Sequence, residues 1–586
     1  MSKKHKIVVG IDFGTTYSGV AWADTSSATE EINPIRQWPG ATGRHDVDKV
    51  PSEMRYTPIE FKWGFQADEA TAVRPQVSAQ KNTKLQYMKL LLDPSQEKKG
   101  KGRVQLADPL GLAQMRQALP PRKLPVDVAS DYLKCLKEHA LDVLSKSFGT
   151  NFWNSIPIEY HLTIPAVWSE AAKTLTLQAA ERAGIGSKNE LGLIAEPEAA
   201  ALYCLTDMYH DLLKIGETFV VADCGGGTVD LVSYKILARK PNLKVKEVAV
   251  GGGLCGSVFL NRRFEAFVRK RIGSEVVDEM IRKDRPYRKM MKDFDERLKH
   301  IFRDSGDQEL LDCDLGNTVR NDVTKRVEDG FLEITRKEMS EVFNPVIQEI
   351  LRLVREEIDT VALGSQDRVS TVLLVGEFGS SPYLQKQLSD HIAAMYQNRI
   401  KVLQPPNAWS AVVRGAVICG LQRVQIQSRK ARRSYGVKCR KSWVPGNPTK
   451  YKQWCPFEEE YKCANRMLWY VKKGDEVSET AELAMSFQCL FALNSPLKTT
   501  NTVLASDSPA INLEENSAHH NVYTVCTLDT DLSHIRNHLL RCQNSKGESY
   551  YDVHYELVMR IHSAQFTFEF RYNGVTYGDV TTAAFA

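Results

Sequence analysis

No run of eighteen apolar residues occurs anywhere in the 586-residue chain, so no single helix in it is expected to span a membrane. The opening Met-Ser-Lys-Lys-His-Lys leads straight into an apolar strand, leaving no room for the apolar region of a secretory leader. The twelve cysteines include no C-x-x-C pair. Without a secretion signal they read as reduced thiols. The expected compartment is therefore the cytoplasm, with nuclear access left open. The chain also lacks G-x-x-x-x-G-K-[ST], which excludes a P-loop site. A formal net charge of +5 is too small to imply nucleic acid.

What is present is an ordinary globular balance, 42% hydrophobic and 25% charged, over a length that calls for two to four domains. One stretch stands out. Residues 218–232 place an apolar run (Phe219, Val220, Val221) before Asp223, then turn through Gly225, Gly226 and Gly227 into Thr228 and Asp230. Adjacent glycines lack Cβ, so backbone N–H groups can close on an anion. A carboxylate just ahead of the turn suits a divalent cation travelling with that anion. Taken alone, the stretch could equally be a plain glycine hairpin. Residues 7–20 repeat its grammar, however: an apolar strand, Asp12, a turn at Gly14, then Thr15 and Thr16. Two such units predict two similar lobes that each offer a phosphate loop and a carboxylate to one nucleotide.

Between the loops, residues 24–80 read as short strands and turns, and 84–92 as an apolar helix face interrupted by Lys89. That lysine is either a solvated helix residue or the cation that neutralises a transferring phosphoryl group. Residues 95–103 read as an exposed basic loop. A helix is predicted from Ala129 to Phe148 with Gly149 as its stop. Strand 160–165 and a helix capped by Ser169 follow. Glu196 stands at a strand–helix junction, a helix-dipole partner or a group reaching a metal or its water. Residues 258–304 read as mostly helical, with Glu296 and Lys299 on one face. Thr335-x-x-Glu338 is a capping box. A third glycine turn runs from Gly376 through Phe378 and Gly379 to Ser380. From His391 to Phe457 no acidic residue occurs, while Arg429, Lys430, Arg432, Arg433, Lys438, Arg440 and Lys441 cluster. This segment, 429–441, reads as a solvated linker or as a contact for an anionic partner. Beyond it, alternating β-branched and aromatic residues predict a small β-rich domain. His534, His538 and Cys542, four apart, are a weak candidate metal set with no fourth ligand.

The three glycine turns, in this order, resemble the actin-like ATPase fold and most closely the heat-shock protein 70 family. Gly10-Ile-Asp-Phe-Gly-Thr-Thr-Tyr-Ser and Asp223-Cys-Gly-Gly-Gly-Thr-Val-Asp carry the resemblance, as do Thr163-Ile-Pro-Ala, Ala195-Glu-Pro-Glu-Ala-Ala-Ala and Gly256-Ser-Val-Phe-Leu-Asn-Arg. It covers most of residues 5 to 425. The resemblance implies an α/β, two-lobed actin-like domain over 1–425 (lobe I about 1–215 plus 405–425, lobe II about 216–404), with the β-rich region at 426–586. It also implies ATP or ADP with Mg²⁺, and K⁺ as a further candidate ion. Asp12, Glu196 and Asp223 would hold the hydrated metal or the attacking water. Gly14, Thr15, Thr16, Tyr17 and Gly225 to Thr228 would cradle phosphates. Lys89 falls at the family's catalytic lysine and Pro165 at its switch proline. Gly256, Glu296, Lys299 and the turn Gly376, Phe378, Gly379, Ser380 align with ribose and adenine contacts.

Two departures mark a divergent branch similar to subfamily 12 and its fungal relatives. Lys173 replaces the arginine that senses the proline switch, and Gly376-Glu-Phe-Gly-Ser lacks the adenine-stacking arginine. The C-terminal region is only faintly similar to the family's peptide-binding sandwich, around Trp469 to Asp475. The chain stops at Ala586 without a helical lid or acidic tail, so clamping of clients by the family's usual route is not expected. The reading is an ATP-binding, slowly hydrolysing, chaperone-like switch acting on protein clients or regulatory partners. The alternatives are a non-hydrolysing nucleotide-gated scaffold and a small-molecule kinase of the same fold.

Overall fold

The computed structural model describes residues 5–27, 30–41, 47–57, 61–68, 84–93, 112–186, 191–208, 213–239, 243–303, 310–316, 319–365, 367–421, 424–508, 522–561 and 566–582. The basic stretch 95–103 lies outside these residues, as do 69–83. Two compact units divide the chain, Met1–Gln425 and Ile426–Ala586.

In the first unit, strands Ile7–Asp12 and Thr218–Cys224 are buried at every position. Continuous apolar runs of this kind belong to strands covered on both faces. Each strand starts a sheet of the same plan. Ile7–Asp12 pairs antiparallel with Tyr17–Asp24 on one side and parallel with Ile158–Ile164 on the other. Asn33–Pro34 and Leu191–Ala195 lie beyond these two neighbours. In the second lobe, Thr218–Cys224 pairs antiparallel with Val229–Ala238 and parallel with Val369–Val375. Leu243–Gly253 and Lys401–Leu403 follow outward. The duplicated strand–Asp–Gly–Thr grammar is thus a duplicated sheet topology, each lobe with its own core.

Several helix boundaries follow local chemistry. Pro125–Phe148 begins a turn earlier than its apolar spacing predicts, because Pro125 suits the first helical position and Asp127 accepts from the Leu124 N–H at 2.8 Å. It stops at Gly149, whose φ is +89°. The Ser169 hydroxyl accepts from the Ala172 N–H at 3.2 Å. The capping box is reciprocal: Thr335 Oγ1 accepts from the Glu338 N–H at 3.3 Å, and Glu338 Oε2 from the Thr335 N–H at 2.9 Å. Segment 84–92 is not an α-helix. It is a short strand, Lys84–Leu85, then a 3₁₀ turn, Met88–Leu92, separated by Tyr87 at φ +55°. That left-handed residue breaks the helical run.

Two helices pack against each other where the lobes join. Glu196–Tyr203 follows strand Leu191–Ala195 yet packs on Thr218–Cys224, while Ala411–Gly420 packs on Ile7–Asp12 and Ile158–Ile164. The two helices meet where a Cβ on Gly415 would lie 1.6 Å from the Ala199 carbonyl oxygen. Only glycine permits that approach.

In the second unit, two five-stranded antiparallel sheets share a core that includes Tyr435, Val437, Val503, Leu557, Met559 and Phe568. One contains Ser434–Ser442, Glu460–Val471 and Lys498–Ser506, the other Leu483–Ala492, Ser549–Ile561 and Phe566–Tyr572. The basic segment is therefore no solvated linker: it forms strands Val424–Lys430 and Ser434–Ser442. Arg429 pairs with Glu479 at 2.6 Å and Arg433 with Asp507 at 2.8 Å, both arginines buried. Lys438, Arg440 and Lys441 remain exposed. His534 and His538 lie on a 3₁₀ turn and Cys542 on the strand after it, so they do not share a helix face. Among the described residues no group of three such side chains is placed to hold a metal ion.

Replacing Gly415 with alanine should force the two crossing helices apart. Overpacking of this kind costs about 1–3 kcal/mol, and thermal denaturation should show a lowered melting temperature. An unchanged melting curve would mean that the crossing has slack.

Candidate functional site

A cavity between the lobes is lined by Asp12, Gly14, Thr15, Thr16, Tyr17, Lys89, Glu196, Asp223, Gly225, Gly226, Gly227, Thr228 and Gly376. These are sequence-predicted site residues from five separate segments. Lys49, Glu377, Trp409 and Val412 line it as well, and the sequence reading named none of them as site residues. The two phosphate loops face each other closely: a Cβ on Gly226 would sit 2.3 Å from Thr16 Oγ1.

Two buried ion pairs form the floor. Lys89 is only 1% exposed, and its Nζ lies 2.5 Å from Glu196 Oε1 and over the rings of Trp168 and Phe13. Burial and pairing rule out its reading as a solvated helix residue. Lys49 Nζ lies 2.7 Å from Asp12 Oδ2, while the Thr163 hydroxyl donates to Asp12 Oδ1 at 3.0 Å. Burial alone would push Lys49 down, but the carboxylates of Asp12, Asp223 and Glu377 outweigh it and hold the ammonium above its ordinary value. Asp223 and Glu196 are raised as well, toward their neutral forms. Burial, then the charges of Glu196, Asp230 and Asp12, push Asp223 well up. Burial also raises Glu196, an effect that Lys89 only partly offsets.

Asp230 stands immediately behind, also raised by burial. Its Oδ1 accepts from the Val167 N–H at 3.1 Å, and its Oδ2 is buried with no hydrogen-bond partner. Trp409 likewise keeps its buried indole N–H unpaired. Such orphaned groups are normally satisfied by water or a ligand.

On the second lobe, the Glu377 carboxylate accepts from the Thr16 hydroxyl across the cavity and from the Ser257 hydroxyl at 3.4 Å. Gly256, Glu296, Lys299, Phe378, Gly379 and Ser380 do not line this cavity. The Gly256 N–H donates to the Gly227 carbonyl, buttressing the second loop from behind. Lys299 is buried and paired with Asp295. Burial pushes the Tyr17 phenol well up, and the nearby carboxylates of Asp295, Glu377 and Glu296 add to the shift. Phe378 packs into the second lobe's core near Phe343 and is not free to stack on a base. Ser380 donates to the Glu377 carbonyl at 2.6 Å, closing its turn. Lys173 is buried.

The lining holds four carboxylates (Asp12, Glu196, Asp223, Glu377) against two ammonium groups. An excess of hard oxygen donors, with an orphaned Asp230 oxygen behind it, fits a hydrated divalent cation of the Mg²⁺ kind. Asp12, Glu196 and Asp223 are the residues that would hold it. The two facing loops, with threonine hydroxyls and adjacent glycine N–H groups, fit the phosphates beside it.

Paired sheets of one plan, two helices in contact where they join and two opposed phosphate loops define a two-lobed, actin-like nucleotide-binding domain. Residues 8–427 match the family described as Hsp70 protein, and the chain belongs to that family. Residues 429–583 match a family described as a domain of unknown function (DUF8568). Heat shock 70 kDa protein 12A of Homo sapiens is 25% identical over 516 residues, covering 75% of this chain and 73% of that protein. Heat shock 70 kDa protein 12B of Homo sapiens is 25% identical over 546 residues, covering 77% and 74%. A chaperone protein HscA homolog of Laribacter hongkongensis is 28% identical over 395 residues, covering 66% of this chain and 54% of its own length. The chain is thus a divergent Hsp70 relative.

Glu377 places a negative charge on a hydroxyl of the first phosphate loop, where an incoming phosphate competes with it. Unit charges about 4 Å apart repel by about 4 kcal/mol at an effective dielectric near 20. Glu377→Gln keeps an acceptor for Thr16 and removes the charge, so it should tighten ADP binding by about tenfold or more, measured by titration calorimetry. Unchanged affinity would place the phosphates away from Glu377.

Proposed function

We propose that this protein is an ATP-binding, slowly hydrolysing switch of the Hsp70 type that acts on protein partners. The observation that carries the reading is the convergence of Asp12, Lys89, Glu196, Asp223 and Thr228 on one interlobe cavity, lined by both phosphate loops. Phosphoryl transfer depends on positioning and charge neutralisation more than on covalent chemistry. Here the loop N–H groups and the hydroxyls of Thr15, Thr16 and Thr228 would fix the phosphates. Lys89, held by Glu196 and two aromatic faces, is a preorganised cation for charge developing on the transferred group. Bound Mg²⁺ would supply further neutralisation of the phosphate oxygens. The β-rich second unit, with its exposed Lys438, Arg440 and Lys441, supports protein partners and keeps an anionic partner open there. A cytoplasmic location, with nuclear access, is proposed on the twelve free thiols; cell fractionation tests it.

Millimolar MgATP should raise the melting temperature of the purified protein, since a ligand of the native state alone shifts unfolding by mass action. Single-turnover assays should detect slow hydrolysis, and Lys89→Ala should reduce it by about 10² or more while weakening ATP binding much less. Melting curves of the variant control for the loss of Glu196's partner. Equal background rates in wild type and variant would replace the enzyme with a nucleotide-gated scaffold. Turnover that appears only with a sugar acceptor would point to a kinase.

A further inference from the structure

We propose that strand Lys452–Cys455 of the second unit is a docking edge for an extended acidic segment of a partner protein, which adds to the sheet as a further strand. The inference rests on the reading that this protein acts on protein partners, and it names the chemistry of one. Lys452–Cys455 pairs antiparallel with Glu460–Val471 on one side, and among the described residues no strand pairs with its other side. Such an edge presents unpaired N–H and C=O groups that a peptide backbone can match. It lies outside Trp469 to Asp475, the stretch similar to the family's peptide-binding sandwich.

Register sorts the side chains around this edge into two faces, because successive residues of a strand point oppositely. On one face Gln453 and Ser442 stand opposite Lys462, and Cys455 stands opposite Glu460. Charge there is paired internally: Lys462 meets Glu458 at 2.7 Å and also Glu460, and the Ser442 hydroxyl donates to Glu460 at 2.9 Å. The other face carries two rows. Lys441 and Lys452 flank Cys463, and Trp443 and Trp454 flank Tyr461. Trp454 and Tyr461 are 49% and 48% exposed, with ring centroids 5.0 Å apart. Lys452 Nζ lies 4.0 Å from the Trp443 ring centroid and 4.1 Å from that of Tyr461. The rings hold the ammonium over this face without neutralising its charge.

Charge complementarity selects the occupant. From His391 to Phe457 the chain has no acidic residue. Among the described residues Lys441, Lys450 and Lys452 have no carboxylate partner. The acids that follow, Glu458, Glu459 and Glu460, are engaged with Lys462, Ser442 and the Ser545 N–H. Residues two apart on an added strand share a face. A carboxylate facing Lys452 and an apolar side chain against Trp454 would therefore stand two positions apart in the partner. Single-stranded nucleic acid fits this surface less well, because Lys452 already covers a face of both Trp443 and Tyr461 and leaves less ring area for base stacking. Neither a phosphodiester backbone nor a lipid surface offers N–H groups to the carbonyls of the edge.

The test is fluorescence anisotropy of the full chain with the labelled peptide Glu-Thr-Val-Thr-Glu-Thr-Val-Thr-Glu, whose glutamates and valines share one face when extended. One control peptide carries lysine for every glutamate. A second is N-methylated at two adjacent central residues, so that an N–H is lost from whichever side meets the strand. Wild type should bind the acidic peptide, and Lys452→Glu and Lys441→Glu should each weaken it by about tenfold. Trp454→Ser and the N-methylated peptide should each lose about fivefold. Melting curves check that the variants fold, and two lysines on different strands keep the test open should one variant fail. No binding of the acidic peptide by wild type would overturn the proposal, as would equal affinity in wild type and a folded lysine variant. Equal binding of the lysine or the N-methylated peptide would do the same, and all these results leave the reading of protein partners standing. Oligouridylate or phosphatidylserine vesicles bound through Lys452 in place of every peptide would overturn the proposal and count against protein partners as well.

Discussion

Burying several carboxylates around one small cavity is costly unless cations are buried with them, and the rest of this molecule is arranged around that constraint. Asp12, Glu196, Asp223 and Asp230 are each less than a tenth exposed. Two lysines enter with them, one over each of two carboxylates, their stems screened by Gly19 on one side and by aromatic rings on the other. Removing one member of a buried pair costs more than the pair contributes, since the remaining charge stays buried without compensation. The residual negative charge makes the cavity receptive to a cation, and the facing loops make it receptive to an anion. A metal-bound nucleotide brings both.

The lobes divide these charges between them. Asp12, Lys49, Lys89 and Glu196 belong to the first, Asp223, Asp230 and Glu377 to the second. Carboxylates of the two lobes therefore face one another across the cleft, and a group that neutralises the cavity lowers the repulsion between its walls. Where the lobes join, helices Glu196–Tyr203 and Ala411–Gly420 touch backbone to backbone at Ala199 and Gly415.

The second unit has a different chemistry. Its basic arginines are largely spent on internal pairs with Glu479 and Asp507, while Lys438, Arg440 and Lys441 remain on the surface. Arg560 and Arg571 converge on Glu569 and Glu482 along the other sheet. The arginine–carboxylate hydrogen bonds hold the Glu569 carboxyl down at about 2. Ion pairs of this kind stabilise a sandwich modestly. They leave less of its charge available to partners than the composition of the segment implies.

The sequence by itself determined the periodicities and the punctuation. It placed both strand–Asp–Gly–Thr units, the Thr335–Glu338 capping box, the stop at Gly149 and the strands around Met485, Tyr555 and Phe566. Each is a local property of backbone conformation or of alternating burial, so a few adjacent residues suffice to reveal it. Tertiary structure alone decided which charges meet. Lys49 sits in an unremarkable Val47-Asp-Lys-Val-Pro stretch, and only the pairing of Val50–Pro51 with Tyr17 and Ser18 brings it to Asp12. Glu377 was visible inside the third glycine turn, but its contact with Thr16 spans 361 positions. The nearby Phe378, which read as a nucleotide contact, went instead into the second lobe's core beside Phe343. Asp230 lay within the central motif, yet the solitude of its buried oxygen could not be read from its neighbours in sequence. Long-range pairing of charges follows from how two sheets and two crossing helices enclose a space, and no local pattern in the chain encodes it.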